Sequence, residues 1–319
     1  MKKGILARTL SVMAAFLLAL PSAAQSYAAD GGMPAFSRER FFHSGTWLPY
    51  RKAAFNIGEE KPAALILYLH GGTSRGDDNT AQLDEPAVSA ISRHVSAHGL
   101  HAVLIVPQCP AGQFWAGAMS NVLTALVEDY AARDSIDASR LYVLGSSMGG
   151  TGTWSLLDNC PSLFAAAMPV AGNPSGHSAR NVALTPVLTV MGTADHIMDL
   201  DTVRLFIDSL IQAGGEARLD VEYDWTHEQT CEESYTPSRL DWLFGHAASA
   251  TTGLAPRADR QTPTVIVCGR TITLSDGGRF QVHTPDGRSL ARGTVRFLVA
   301  TPGVYLIRAG GLTAKVAVR

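Results

Sequence analysis

Beyond residue 63 the chain alternates continuous apolar runs with segments of helically spaced apolar residues, and this alternation limits the possible folds more than any other feature. Residues 64–69 form an uninterrupted apolar run that ends in His70-Gly71-Gly72. A strand wetted on one face alternates polar and apolar residues, whereas a strand covered on both faces reads as a continuous run. Comparable strands are expected at 101–106, 140–144, 165–170, 186–191 and 219–223. Helices are expected between them, over 86–98, 121–133, to about 159 after Gly150, and over 201–213, with a last one over 237–244. Repeated β-α-β units imply a mostly parallel sheet with helices on both faces. Ligands in such sheets sit beyond the carboxyl ends of the strands, which is where the sequence places its unusual turns.

Two segments stand outside this pattern. Residues 1–28 begin with Lys2, Lys3 and Arg8, continue through an apolar run over 10–20, and break at Pro21. Ser22-Ala23-Ala24 and Ser26-Tyr27-Ala28 then supply small residues suited to signal peptidase. The apolar run is short against the ~20 residues needed to span a bilayer core, so a cleaved export signal is expected. After Gly245, residues 246–263 are small, polar and proline-containing and read as a linker. Residues 264–319 then show short β-rich runs at 265–267, 271–274, 279–283, 295–299, 304–308 and 313–318. Turns such as Asp276-Gly277-Gly278 and Pro285-Asp286-Gly287 separate them, which predicts a small all-β domain. The part of the chain with alternating strands and helices is therefore expected over 37–245.

Composition narrows the function. Charged residues are 17% of the chain and the formal net charge is −2, so no basic excess exists to drive nucleic-acid binding. A hydrophobic fraction of 46% excludes an extended disordered chain. The four cysteines, Cys109, Cys160, Cys231 and Cys268, are potential disulfide formers in an exported protein. Spacing does not choose among their pairings, and none shows the spacing of a zinc site. No metal or organic cofactor is expected.

The chemistry is carried by Gly145-Ser146-Ser147-Met148-Gly149, a G-x-S-x-G pentad between a strand and a helix. A nucleophile elbow must lie there, because the strand and helix backbones approach closely around the serine. Ser147 is the candidate nucleophile, ahead of Ser146. A serine hydroxyl needs a base, and the base needs an orienting acid, in the chain order Ser, Asp or Glu, His. The strand at 186–191 delivers Asp195, and the strand at 219–223 delivers His227. His196, Asp199, Asp201 and Asp224 compete, but His196 neighbours Asp195, and Asp199 and Asp201 suit helix caps. Oxyanion donors are expected from the backbone N–H of Met148 and from the His70-Gly71-Gly72-Thr73 loop. Gly72 is preferred there and Thr73 is the alternative. His70 is expected to brace that loop. Trp115, Trp154 and Trp225 are candidates to line the substrate cleft.

Taken together, the run from Tyr68 to Asn79, reading LHGGTSRGDDN after the tyrosine, resembles the opening motif of bacterial α/β-hydrolases described as peptidases or phospholipase/carboxylesterases. Val106-Pro107-Gln108-Cys109-Pro110 and Ser147-Met148-Gly149-Gly150-Thr151-Gly152-Thr153-Trp154 extend the resemblance, which covers about residues 47–245. Polyhydroxybutyrate depolymerases and feruloyl and acetyl-xylan esterases are similar in kind. The resemblance implies the α/β-hydrolase fold and a triad of Ser147, Asp195 and His227. One departure is that Asp224-Trp225-Thr226, without a glycine, precedes His227. The β-rich end resembles the sorting domain of type IX secretion systems, which implies passage across the outer membrane, contact with the secretion machinery, and removal of that domain. A carbohydrate-binding or stabilising β-domain is the alternative. The resulting expectation is a secreted or cell-surface serine esterase acting on short acyl or aryl esters, small or attached to polysaccharide. Serine peptidase activity and an idle surface adhesin are the alternatives.

Overall fold

The structure, a computed structural model, describes residues 34–57, 61–248, 265–274, 279–294, 296–309 and 312–318. The expected export signal and most of the expected linker lie outside the described residues. Elements follow in chain order: β1 (Ser37–His43), β2 (Thr46–Phe55), β3 (Ala63–Leu69), α1 (Pro86–Ala97), β4 (Ala102–Pro107), α2 (Ala118–Ala131), β5 (Ile136–Ser146) and α3 (Met148–Asn159). They continue with β6 (Ala166–Val170), α4 (Ala179–Val182), β7 (Val187–Gly192), α5 (Leu200–Gln212), β8 (Ala217–Glu222), α6 (His227–Glu233) and α7 (Pro237–Phe244). Strands β1 to β8 form one sheet in the order β1-β2-β4-β3-β5-β6-β7-β8. The pairs β1–β2 and β2–β4 are antiparallel, and the rest are parallel.

The continuous apolar run becomes β3, buried along its whole length at the centre of the sheet. Because side chains alternate between faces, Leu65, Leu67 and Leu69 enter one core layer with α2, α3 and α5. Ala64, Ile66 and Tyr68 enter the other, with α1 and α7. Truncating a fully buried leucine such as Leu67 to alanine costs ~2–5 kcal/mol, since both layers are close-packed.

Two antiparallel strands, β1 and β2, were outside the apolar-run pattern. β1 reads SRERFFH and alternates half-buried with exposed positions, as an edge strand guarded by charge does. The short helix α6 was also unexpected, because HEQTCEE is polar. Its start is set by a capping box in which Thr226 accepts from the Gln229 N–H and Gln229 reaches back to the Thr226 N–H.

The carboxy-terminal part contains β9 (Val265–Cys268), β10 (Thr271–Leu274), β11 (Phe280–His283), β12 (Ser289–Thr294), β13 (Arg296–Leu298), β14 (Gly303–Ala309) and β15 (Leu312–Val318). They form a three-stranded sheet, β13-β10-β9, and a four-stranded one, β12-β11-β14-β15. Each run expected from sequence contains a strand among the described residues; β12 was missed because it is a largely exposed edge.

This β unit is fastened to the body at the end of α3. Cys160, just after α3, is disulfide-bonded to Cys268, while Cys109 and Cys231 are free thiols. Beside the disulfide, the buried Glu128 carboxylate of α2 accepts from the Arg270 N–H at 3.1 Å and from the Thr271 hydroxyl. Arg296 donates to the Leu163 carbonyl at 3.3 Å. Among the described residues, no helix is long and apolar enough to cross a membrane.

Candidate active site

The glycines of the pentad are required by space. A Cβ on Gly145 would lie 2.4 Å from the Gly149 carbonyl oxygen, and one on Gly149 would lie 1.8 Å from that of Leu69. Strand β5, helix α3 and strand β3 therefore meet with nothing but backbone between them. Ser147, between β5 and α3, is held at φ 56° and ψ −116°. This is a left-handed conformation that costs a non-glycine residue ~1–3 kcal/mol and persists only when its surroundings impose it. Here the Ser147 N–H donates to the Val170 carbonyl and α3 starts at once, so the hydroxyl projects from the top of the sheet.

His227 heads α6, where the capping box sets the helix start and hence the ring position. Its Nε2 lies 2.8 Å from Ser147 Oγ, and its Nδ1 lies 2.8 Å from Asp195 Oδ2. Asp195 follows β7, and its Oδ1 accepts from the backbone N–H groups of Ile197 at 2.8 Å and Met198 at 2.9 Å. The carboxylate is thus fixed from both oxygens, and its side chain is fully buried. Three residues from three strand ends are brought into one line of hydrogen bonds, in the geometry a hydroxyl–base–acid relay requires. The missing glycine before His227 has not prevented this. In the turn before it, Asp224 has a positive φ of 58° and its N–H donates to the Thr193 hydroxyl at 2.8 Å.

Met148 is the first residue of α3, and N–H groups of a helix's first turn have no intrahelical acceptor. Gly72 opens the short turn after β3, facing the same cleft. The Gly71 N–H is already engaged, donating to Glu85 Oε1 at 2.7 Å. Glu85 was not anticipated from sequence. Its carboxylate also accepts from the Ser74 hydroxyl at 2.8 Å and the Tyr68 hydroxyl at 2.6 Å, so it clamps the loop carrying Gly72. Burial raises the Glu85 carboxyl above its ordinary range, partly opposed by these three hydrogen bonds. Ser146 points away from the relay, 2.8 Å from the Tyr235 hydroxyl.

His70 braces the loop. Its Nδ1 donates to the Gly71 carbonyl at 2.6 Å and its Nε2 accepts from the Cys109 N–H at 2.9 Å. Burial lowers its pKa to about 4, so the ring is neutral at pH 7. The tryptophan assignments require correction. Trp115 and Trp154 are buried in the core rather than lining the cleft, Trp154 within α3 and Trp115 packed beside it. The Trp115 indole donates to the His70 carbonyl at 3.0 Å. Trp225 lies partly exposed in the turn before α6 and is not among the cleft residues.

The cleft above Ser147 has a volume of about 570 Å³. Its lining combines the apolar side chains of Ile197 and Pro86 with Arg75 and the acidic Asp84, Glu228 and Glu232. Cys231 reaches into it with Sγ 3.8 Å from His227 Nε2, and burial raises its thiol pKa strongly.

Residues 111–250 match the dienelactone hydrolase family. No curated protein matches the sequence. Among solved structures, the chain is similar to a thermostable esterase, at 24% identity and a TM-score of 0.60, over 66% of this chain and 63% of that one. It is also similar to Porphyromonas gingivalis dipeptidyl peptidase 4, at 17% identity and a TM-score of 0.53, over 67% of this chain and 36% of the peptidase. Pyrococcus horikoshii acylaminoacyl peptidase aligns at 14% identity and a TM-score of 0.52, over 70% of this chain and 43% of that one. The chain therefore spans less than two thirds of the length of each of these proteins. At such identities the likeness establishes architecture: a mostly parallel sheet flanked by helices, in the α/β-hydrolase fold that esterases and dienelactone hydrolases share, followed by an all-β unit.

Proposed function

We propose that this chain is a serine hydrolase that cleaves carboxylic esters through an acyl-enzyme. The observation that carries this reading is the continuous relay Asp195–His227–Ser147, with both links at 2.8 Å. Ser147 Oγ attacks the ester carbonyl carbon and passes its proton to His227 Nε2. Asp195 holds the ring so that Nδ1 keeps its proton, and its charge stabilises the imidazolium. The oxyanion is received by the N–H groups of Gly72 and Met148, where a single donor contributes ~10²–10³ in rate. Collapse expels the alcohol, which takes the proton from Nε2. Water then repeats the sequence on the acyl-enzyme, releasing the acid and restoring Ser147.

The substrates are short acyl or aryl esters, free or attached to polysaccharide. A cleft of about 570 Å³ falls within the ~300–1,000 Å³ typical of small-molecule sites and supports that range. The protein is exported through residues 1–28 and meets the secretion machinery through its β unit. The Cys160–Cys268 disulfide fits an oxidising compartment. It also keeps the β unit on the enzyme after any cut in residues 246–263, so that removal requires reduction.

Turnover of p-nitrophenyl acetate by the wild type and by Ser147→Ala tests the reading. The variant is expected to lose ~10⁴-fold or more in kcat. Equal turnover overturns the assignment of Ser147. Faster turnover of peptide anilides than of esters replaces the esterase reading with a peptidase one, and turnover of neither leaves the adhesin.

A further inference from the structure

Away from the cleft, the end of α1 meets α7 through His94, His98 and Asp241. His94 lies in the last turn of α1 and His98 follows four residues later, so both rings project from one side. The rings stack with centroids 4.1 Å apart. Their Nε2 atoms approach the same oxygen, Asp241 Oδ1, at 3.4 Å from His94 and 3.8 Å from His98. The three ligand atoms all lie within 4.8 Å of one another.

These distances exceed those of charge-assisted hydrogen bonds, which run ~2.7–2.9 Å. They resemble instead the spacing of ligands sharing a cation. Zinc holds nitrogen and oxygen at ~2.0–2.1 Å, and a tetrahedral angle then separates two ligand atoms by roughly 3.3 Å. The His98 ring already has the support a metal ligand needs: its Nδ1 donates to the His94 carbonyl at 2.9 Å, which leaves the Nε2 lone pair turned to the cluster. The His98 and Asp241 side chains are 48% and 59% exposed, giving an ion an entry path and room for water as a further ligand.

We propose that His94, His98 and Asp241 form a binding site for one zinc-class divalent cation that staples α1 to α7. The staple joins two segments that flank the cleft. α1 begins directly after Glu85, which clamps the Gly72 loop, and α7 follows the helix headed by His227. The site takes no part in the hydrolytic steps and stands apart from the esterase reading.

The test is zinc titration of the metal-free full chain by calorimetry, with thermal unfolding in parallel, on the wild type, His98→Ala and Asp241→Asn. Both substituted side chains are largely exposed, so neither change threatens folding. One zinc per chain is expected at about micromolar affinity or tighter, with a rise in the unfolding midpoint. Each variant is expected to weaken binding ~100-fold and to lose the midpoint rise. Cobalt in place of zinc is expected to give the visible absorption of a four-coordinate ion in the wild type only. Absence of binding at ~100 µM zinc, or binding as strong in either variant as in the wild type, overturns the proposal.

Discussion

The body over residues 37–245 and the β unit over 265–318 stay folded by different means. The body has two apolar layers, one on each face of an eight-stranded sheet. Among the described residues, the β unit has one cluster of eight buried apolar residues, among them Phe280, Tyr305 and Ile307. A core that small leaves little margin against chain entropy, and proteins of this scale usually add a covalent or metal staple. Here the staple is Cys160–Cys268, reinforced by Glu128, and both anchor points belong to the body. The two regions also divide the work. Each group of the candidate relay comes from a strand end of the body, and the β unit is fastened beside the far end of α3.

The largest effect that would sharpen this division is chemical. Asp195→Asn is expected to lower kcat for a p-nitrophenyl ester by ~10⁴-fold, because the imidazole loses its orienting acceptor. Unfolding of the β unit should be unchanged; a shift in its transition would show that the two regions are not independent. Next in size is the staple. Replacing Cys160 and Cys268 together by serine opens a loop of sequence separation 108 and should destabilise the β unit by about 4 kcal/mol. Esterase turnover of the folded variant should remain, and its loss would break the comparison. The smallest effect concerns acid. His70 is completely buried, with its pKa lowered to about 4 from 6.5, so the unfolded chain binds a proton in that window and the native body does not. Body stability should therefore fall by roughly 3 kcal/mol as pH drops from 6.5 to about 4. Denaturant titration of wild type and His70→Gln across that range measures it, and parallel curves would remove His70 as the cause.

Much of the fold was legible because β3, β4, β5 and β7 are covered on both faces, which leaves an uninterrupted apolar signature. The edges β1 and β12 were not legible, since one-sided pairing asks little of their side chains. The pentad around Ser147 was readable for a steric reason: three backbones converge there, and only glycine at 145 and 149 permits it. Asp195 and His227 followed from chain order and strand ends. The tryptophans misled because aromatic residues suit a cleft and a core equally in composition, and only packing distinguishes the two.

By itself, then, the sequence determined the parallel sheet, the elbow, and the order of the three polar residues placed at its rim, because backbone sterics and side-chain periodicity act locally. Tertiary structure alone decided which cysteines pair, that Glu85 clamps the Gly72 loop from fourteen residues beyond Gly71, and that Asp241 faces His94 and His98 across two helices. Those contacts join segments distant along the chain, and their partners are chosen by how the helices pack, which no local spacing encodes.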